Sequence, residues 1–214
     1  MPLRKRLASC WRTPRVAILP VLAALPSICG AVAVSIQVQD SNGQPLADAA
    51  VYAEPVAEVP MPKQPKAAEI EQKNRSFIPL VTVIQTGTDI AFPNRDTVRH
   101  QVYSFSPPKP FELKLYSGTG KTVHFDKPGT VVIGCNIHDQ MIGYIQVVST
   151  PYFAKTDAAG NARLDGLPSG QYRLKAWHYR LPPTAAIPEQ SLAVGDSDTS
   201  ARFKLELLPS PAQH

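Results

Sequence analysis

An all-β fold is predicted by three features of the sequence. Short alternations of apolar and polar residues recur along the chain, as in "VSIQVQ" at 34–39, "VTVIQT" at 81–86 and "QYRLKAW" at 171–177. Turn signals separate them, namely Asn42-Gly43, Pro128-Gly129 and Asp157–Gly160. The 22 prolines and 12 glycines punctuate the 214 residues at a spacing that suits short strands better than long helices.

The chain opens differently. Residues 1–33 carry Arg4, Lys5, Arg6, Arg12 and Arg15 with no acid, then the apolar run "VAILPVLAAL" and the small-residue site Ala31-Val32-Ala33. A basic head, a short apolar stretch and a small-residue site read as a secretory signal peptide over 1–33, cut near Ala33/Val34, with a periplasmic product. An uncleaved membrane anchor is the alternative. Pro20 and Pro26 interrupt the run, however, and it is short for a span. Ile28 before Cys29 speaks against a lipoprotein signal.

Charge follows the same division. Removing the five basic residues of the leader from 22 lysines and arginines leaves 17, which balance 17 acidic residues. The basic pI therefore belongs to the leader, and the neutral remainder argues against a nucleic-acid partner. The same cut removes Cys10 and Cys29 and leaves Cys135 alone, so no disulfide forms within the mature chain.

Beyond residue 33 the elements follow in order. Val34, Ile36 and Val38 form one face of a first strand, and Asn42-Gly43 turns it back. The proline-rich stretch 55–67 reads as a linker. Strands are expected at 81–86 and at "YIQVV", and Tyr172, Leu174 and Ala176 share a face of a late strand. His178 is expected as an exposed strand histidine, and Trp177 as packing or an inter-domain contact.

The chemistry concentrates in "GCNIHDQMIG", where Cys135, His138 and Met141 stand three apart. Thiolate, imidazole and thioether suit copper, and a His2Cys site with a weak axial methionine is the blue-copper arrangement. His100, opening a strand after "FPNRDTVR", supplies the second histidine. Thioether is a poor zinc ligand and there is no second thiolate, which disfavours zinc. From the residues alone, a buried core cysteine with surface histidines is the competing reading.

Two resemblances cover nearly all the mature chain. Residues 68–149 resemble cupredoxins, the plastocyanin-like copper proteins, through "TDIAFPNRDTVRHQV" and "FDKPGTVVIGCNIHDQMIGYIQV". The Cys-to-Met spacing and the Asn-x-acid-x3-His pattern are similar to those of amicyanin, a methylamine-utilisation-type protein. The resemblance implies a Greek-key β-sandwich and one type 1 copper per chain. His100, Cys135 and His138 would be the strong ligands and Met141 the axial one. Asn94 is either the residue that fixes the loop beneath the site or an ordinary turn asparagine. Gln101 stands where an asparagine commonly supports the thiolate, Asp139 where amicyanin has proline, and Gly134 where an aromatic is frequent.

Residues 34–54 and 150–208 look like two halves of a carboxypeptidase-regulatory-like, Ig/transthyretin-like β-sandwich. The matching pieces are "VSIQVQDSNGQPLADAAVYA" and "TDAAGNARLDGLPSGQYRL". In that reading the cupredoxin domain is inserted between the halves. In the rival one, residues 34–53 extend the cupredoxin sheet.

The function these features imply is a one-electron carrier between redox protein partners, monomeric and without a membrane span once the leader is removed. A copper storage, delivery or sensing module is the alternative, and a structural or adhesion module a third. An enzyme is the weakest class: five histidines with no His-x-His pair do not furnish the further copper sites of multicopper oxidases or nitrite reductases. No hydrolase or phosphate-loop motif stands out either. His138 is expected to reach the surface while Cys135 stays buried. Ile137, Met141 and Ile142 are candidates either for an apolar patch or for the core.

Overall fold

A computed structural model describes residues 32–57 and 66–209. The leader up to residue 31, most of the linker and the tail histidine His214 lie outside the described residues. In chain order the strands are β1 (Ala33–Asp40), β2 (Ala50–Pro55), β3 (Ala68–Glu69), β4 (Glu71–Lys73), β5 (Ser76–Ile78) and β6 (Val81–Gln85). They continue as β7 (Thr88–Ala91), β8 (His100–Ser104), β9 (Phe111–Tyr116), β10 (Thr122–Phe125), β11 (Gly129–Gly134) and β12 (Ile142–Val148). The last are β13 (Phe153–Lys155), β14 (Asn161–Asp165), β15 (Gly170–Trp177), β16 (Glu189–Val194) and β17 (Thr199–Leu205). The fold is all-β, and among the described residues no helix is long and apolar enough to cross a membrane.

β1 lies between β14, antiparallel, and β17, parallel. β2 lies between β13 and β15, with β16 beyond, all antiparallel. The neighbours of the two earliest strands therefore come from residues 153–205. Period-two alternation drives this arrangement, because it gives each strand one apolar face. Val34, Ile36 and Val38 of β1 meet Val51, Leu164, Leu174 and Leu205 in one buried cluster. The turn at Gly160 closes against β1 so tightly that a Cβ there would lie 2.5 Å from the Val38 carbonyl oxygen. Its φ of +74° also favours glycine. β1 begins at Ala33, whose N–H donates to Asp198 Oδ1 at 2.9 Å, so a cut after Ala33 would remove one paired residue.

Residues 68–148 build a second pair of sheets, in the orders β10-β7-β3 and β6-β12-β11-β8-β9, with β4 and β5 as a hairpin. Their core contains Ile90, Phe92, Val102, Phe125, Val131, Ile133 and Ile145, and it includes Cys135 and Met141.

A third apolar cluster forms the seam where the two sets of sheets meet. Ala50, Tyr52 and Trp177 pack there on Val81 and Val148, with Tyr144 and Tyr179 at its margin. Trp177 is thus a contact between the two sets. His178 departs from expectation. It is only 3% exposed, just beyond the end of β15, and stacks on Tyr179 with ring centroids 4.4 Å apart. Burial, helped by the Arg180 charge, pushes its pKa down to about 4, so it is neutral at physiological pH.

Candidate metal centre

Three strands deliver the site, and their pleats explain how. In β11 the inward residues are Val131 and Ile133, and the next step of two is Cys135. In β12 they are Gly143, Ile145 and Val147, and one step back is Met141. Gly134 pairs with Ile142 as the last rung of this antiparallel ladder. The 135–141 connection therefore leaves and re-enters with both end side chains facing the core. In β8 the step back from the inward Val102 is His100, beside a register irregularity between those two residues.

Two successive turns shape the connection. His138 N–H donates to the Cys135 carbonyl at 3.3 Å, and Met141 N–H to the His138 carbonyl at 2.9 Å. Each turn spans three residue steps, so Cys135, His138 and Met141 occupy its successive corners. The three-residue spacing in the sequence is the spacing of these turns.

The ligand atoms offered by His100, Cys135 and His138 all lie within 4.8 Å of one another. Cys135 Sγ is 3.8 Å from His100 Nδ1, and the two imidazole centroids are 4.9 Å apart at 61°. Cys135 and His100 are 3% and 0% exposed, His138 is half-buried, and Met141 is 1% exposed in the same core cluster as Cys135. His138 Nδ1 is buried without a hydrogen-bond partner. An orphaned ring nitrogen beside a thiol and a second imidazole costs stability unless something accepts its lone pair. A soft metal ion meets that need, and a thiol, two imidazoles and a nearby thioether are donors that suit copper.

His100 is held by a residue to which the sequence reading gave no role. Its Nε2 lies 2.6 Å from Asp96 Oδ2. Burial pushes the Asp96 carboxyl up. Hydrogen bonds from the Arg75 N–H, His100 and the Asn74 N–H outweigh that, so it lies below its ordinary value. The carboxylate thus places the imidazole proton on Nε2 and leaves the Nδ1 lone pair turned toward the cysteine. In the sequence Asp96 is the acid of the Asn-x-acid-x3-His pattern, which sets it at i,i+4 from His100 without stating what the carboxylate does.

Asn94 braces this loop. It is 4% exposed, donates from Nδ2 to the carbonyls of Val98 and Tyr116 at 2.9 and 2.7 Å, and accepts the Asp96 N–H at Oδ1. It therefore supports the carboxylate that supports His100. Gln101 requires a correction. Its Nε2 donates to Glu112 Oε1 on β9 at 2.7 Å rather than supporting the Cys135 sulfur. Gly134 is not loosely packed either. The Tyr103 ring, from the neighbouring strand, lies over it so closely that a Cβ would sit 3.0 Å from the ring.

At the surface, Ile137 and Ile142 are 50% and 41% exposed on either side of His138, while Asp139 is exposed and Met141 belongs to the core. The other described histidines lie apart from this group. His124 is exposed and 2.8 Å from Asp89 Oδ1.

No family model matches the chain, and no curated protein matches it. Solved structures do show similarity. The copper-containing nitrite reductase of Thermus scotoductus SA-01 is 30% identical over 44% of this chain and 25% of its own, with a TM-score of 0.37. A purple cupredoxin from Nitrosopumilus maritimus is 24% identical over 39% of this chain and all of its own, with a TM-score of 0.32. A pseudoazurin from Methylobacterium extorquens AM1 is 22% identical over 38% of this chain and 75% of its own, with a TM-score of 0.34. The chain thus spans a quarter of the nitrite reductase, and none of the three matches reaches half of this chain.

Proposed function

We propose that this chain is an exported, periplasmic type 1 copper protein, a monomeric carrier of single electrons between protein partners rather than an enzyme or a nucleic-acid binder. The observation that carries the reading is the convergence of His100, Cys135 and His138 within 4.8 Å around the orphaned His138 Nδ1. Met141 would be the axial ligand. Copper held there would supply a one-electron couple. The chain's own contribution is rigidity. Cys135 and His100 are locked in the core, and Asp96 and Asn94 keep one tautomer and one loop geometry. We read residues 34–54 and 150–208 as one sandwich with residues 68–149 inserted; the pairing of β1 and β2 with strands beyond residue 152 supports that division.

The deciding experiment adds one equivalent of copper to the chain from residue 34 onward and records its spectrum and voltammogram. An intense thiolate charge-transfer band with a reversible one-electron wave is expected. Loss of the metal on reduction would replace the carrier by a storage or delivery protein.

Met141→Leu keeps side-chain volume in a core position, so the fold and copper should be retained. The reduction potential should rise, because the weak axial thioether is the ligand removed. Voltammetry checks this, and an unchanged potential would remove Met141 from the ligand set.

Half-buried His138, rimmed by Ile137 and Ile142, forms the exit edge, and exposed Asp139 places a charge beside it. Rim charges act on encounter more than on the final complex. Stopped-flow oxidation by anionic hexacyanoferrate should therefore be faster in Asp139→Lys at low salt. The difference should fade as screening rises, with the absorption spectrum unaltered. Lys204→Glu, at an exposed position of β17, should leave both rate and salt dependence alone.

A further inference from the structure

We infer that the sheets built from residues 33–55 and 153–205 position the axial ligand, acting through Tyr144. The inference rests on the copper reading for the identity of Met141 as a ligand, but the contacts that carry it belong to the chain itself.

β12 presents two faces. Gly143, Ile145 and Val147 point into the core that holds Cys135 and Met141. Tyr144, on the opposite face, meets residues at and just beyond the end of β15. Its ring stacks on Tyr179 at 4.9 Å and 29°, Tyr179 stacks on buried His178 at 4.4 Å and 29°, and Trp177 closes the group at 6.5 Å. His178 is itself fixed by the turn in which its Nδ1 accepts the Arg180 N–H and its carbonyl accepts the Leu181 N–H.

Tyr144 stands three residues after Met141, and the intervening backbone has little slack. A Cβ on Gly143 would lie 3.0–3.1 Å from Phe77 and Ile133, and the Tyr144 N–H donates to the Leu80 carbonyl at 2.9 Å. If copper were held here, a weak thioether ligand would leave the placing of Met141 to the protein around it. The ladder with β11 ends at Ile142, one residue short of Met141, whose N–H bonds within its own loop to the His138 carbonyl. The aromatic stack on the outer face supplies the remaining restraint. Tyr144 and Tyr179 are thus positioning residues for Met141, and the sheets of residues 33–55 and 153–205 are a support for the metal loop.

The test compares wild type, Tyr179→Ala, Tyr179→Phe, and Phe153→Ala, which alters the same seam from β13 rather than through the stack on Tyr144. Amide exchange on the metal-free proteins comes first. Protection at Met141–Tyr144 should fall about tenfold in Tyr179→Ala and be kept in Tyr179→Phe and Phe153→Ala. With copper added, Tyr179→Ala should shift the potential in the direction of Met141→Leu and change the electron-spin resonance signal, and Tyr179→Phe should restore both. Unchanged exchange overturns the inference. So does altered exchange with an unaltered potential and resonance signal, or the same shift from Phe153→Ala. If wild type itself takes up no copper, the copper reading has failed, and with it the role given to Met141.

Discussion

Cys135→Ser is expected to abolish the charge-transfer colour and to weaken copper binding by more than about 100-fold, beyond the 10–100-fold typical of losing an outer partner. Serine is nearly the same size, and Cys135 is 3% exposed at the end of β11, so the backbone has no reason to move. What changes is the donor. A hydroxyl keeps its proton at neutral pH and is a hard ligand, whereas the thiolate is soft and charged. The two imidazoles remain 4.9 Å apart, so residual binding without colour is the expected product. Titration with absorption detection checks this, with far-ultraviolet dichroism to confirm the fold. Retention of both colour and affinity would mean that the metal sits elsewhere.

Asp96→Ala is expected to lower copper affinity by about 10–100-fold although the residue touches no proposed ligand atom directed at the metal. The His100 ring is fully buried, and Asp96 Oδ2 is the acceptor seen for its Nε2. Without that carboxylate the N–H is left unsatisfied in the core, at a cost of about 1–3 kcal/mol. The imidazole can relieve the penalty by turning or by moving its proton to Nδ1, and either change withdraws the lone pair from the site. Asp96→Asn, which retains an acceptor oxygen but not the charge, should fall between wild type and alanine. Competitive titration against a copper chelator measures all three. Equal affinity in wild type and Asp96→Ala would show that His100 is oriented by its packing alone.

The sequence by itself determined the three loop donors of the candidate centre, because their grouping is local, whereas His100 is brought in by β8. Cys135, His138 and Met141 are brought together by two short turns whose periodicity is written in their spacing. The alternations at 34–39 and 171–177 likewise announced strands, since a half-buried strand needs a period of two wherever it lies. Tertiary structure alone decided which partners those strands and side chains meet. Tyr103 covers Gly134 only because β8 pairs with β11 in one register, and a slip of one residue would turn the ring to the opposite face. The Gln101 amide goes to Glu112 for the same reason. His178 appears as an exposed strand histidine in sequence and as a buried neutral ring in the fold. Its surroundings come from Tyr179 and from the Tyr144 face of a strand more than thirty residues earlier. Asp96 is the acid of the Asn-x-acid-x3-His pattern, yet the pattern leaves its task open until the loop braced by Asn94 turns the carboxylate onto Nε2. The identity of the loop donors is a property of residue type and short spacing. Ligand orientation depends on long-range contacts, whose geometry exists only once the sheets have closed.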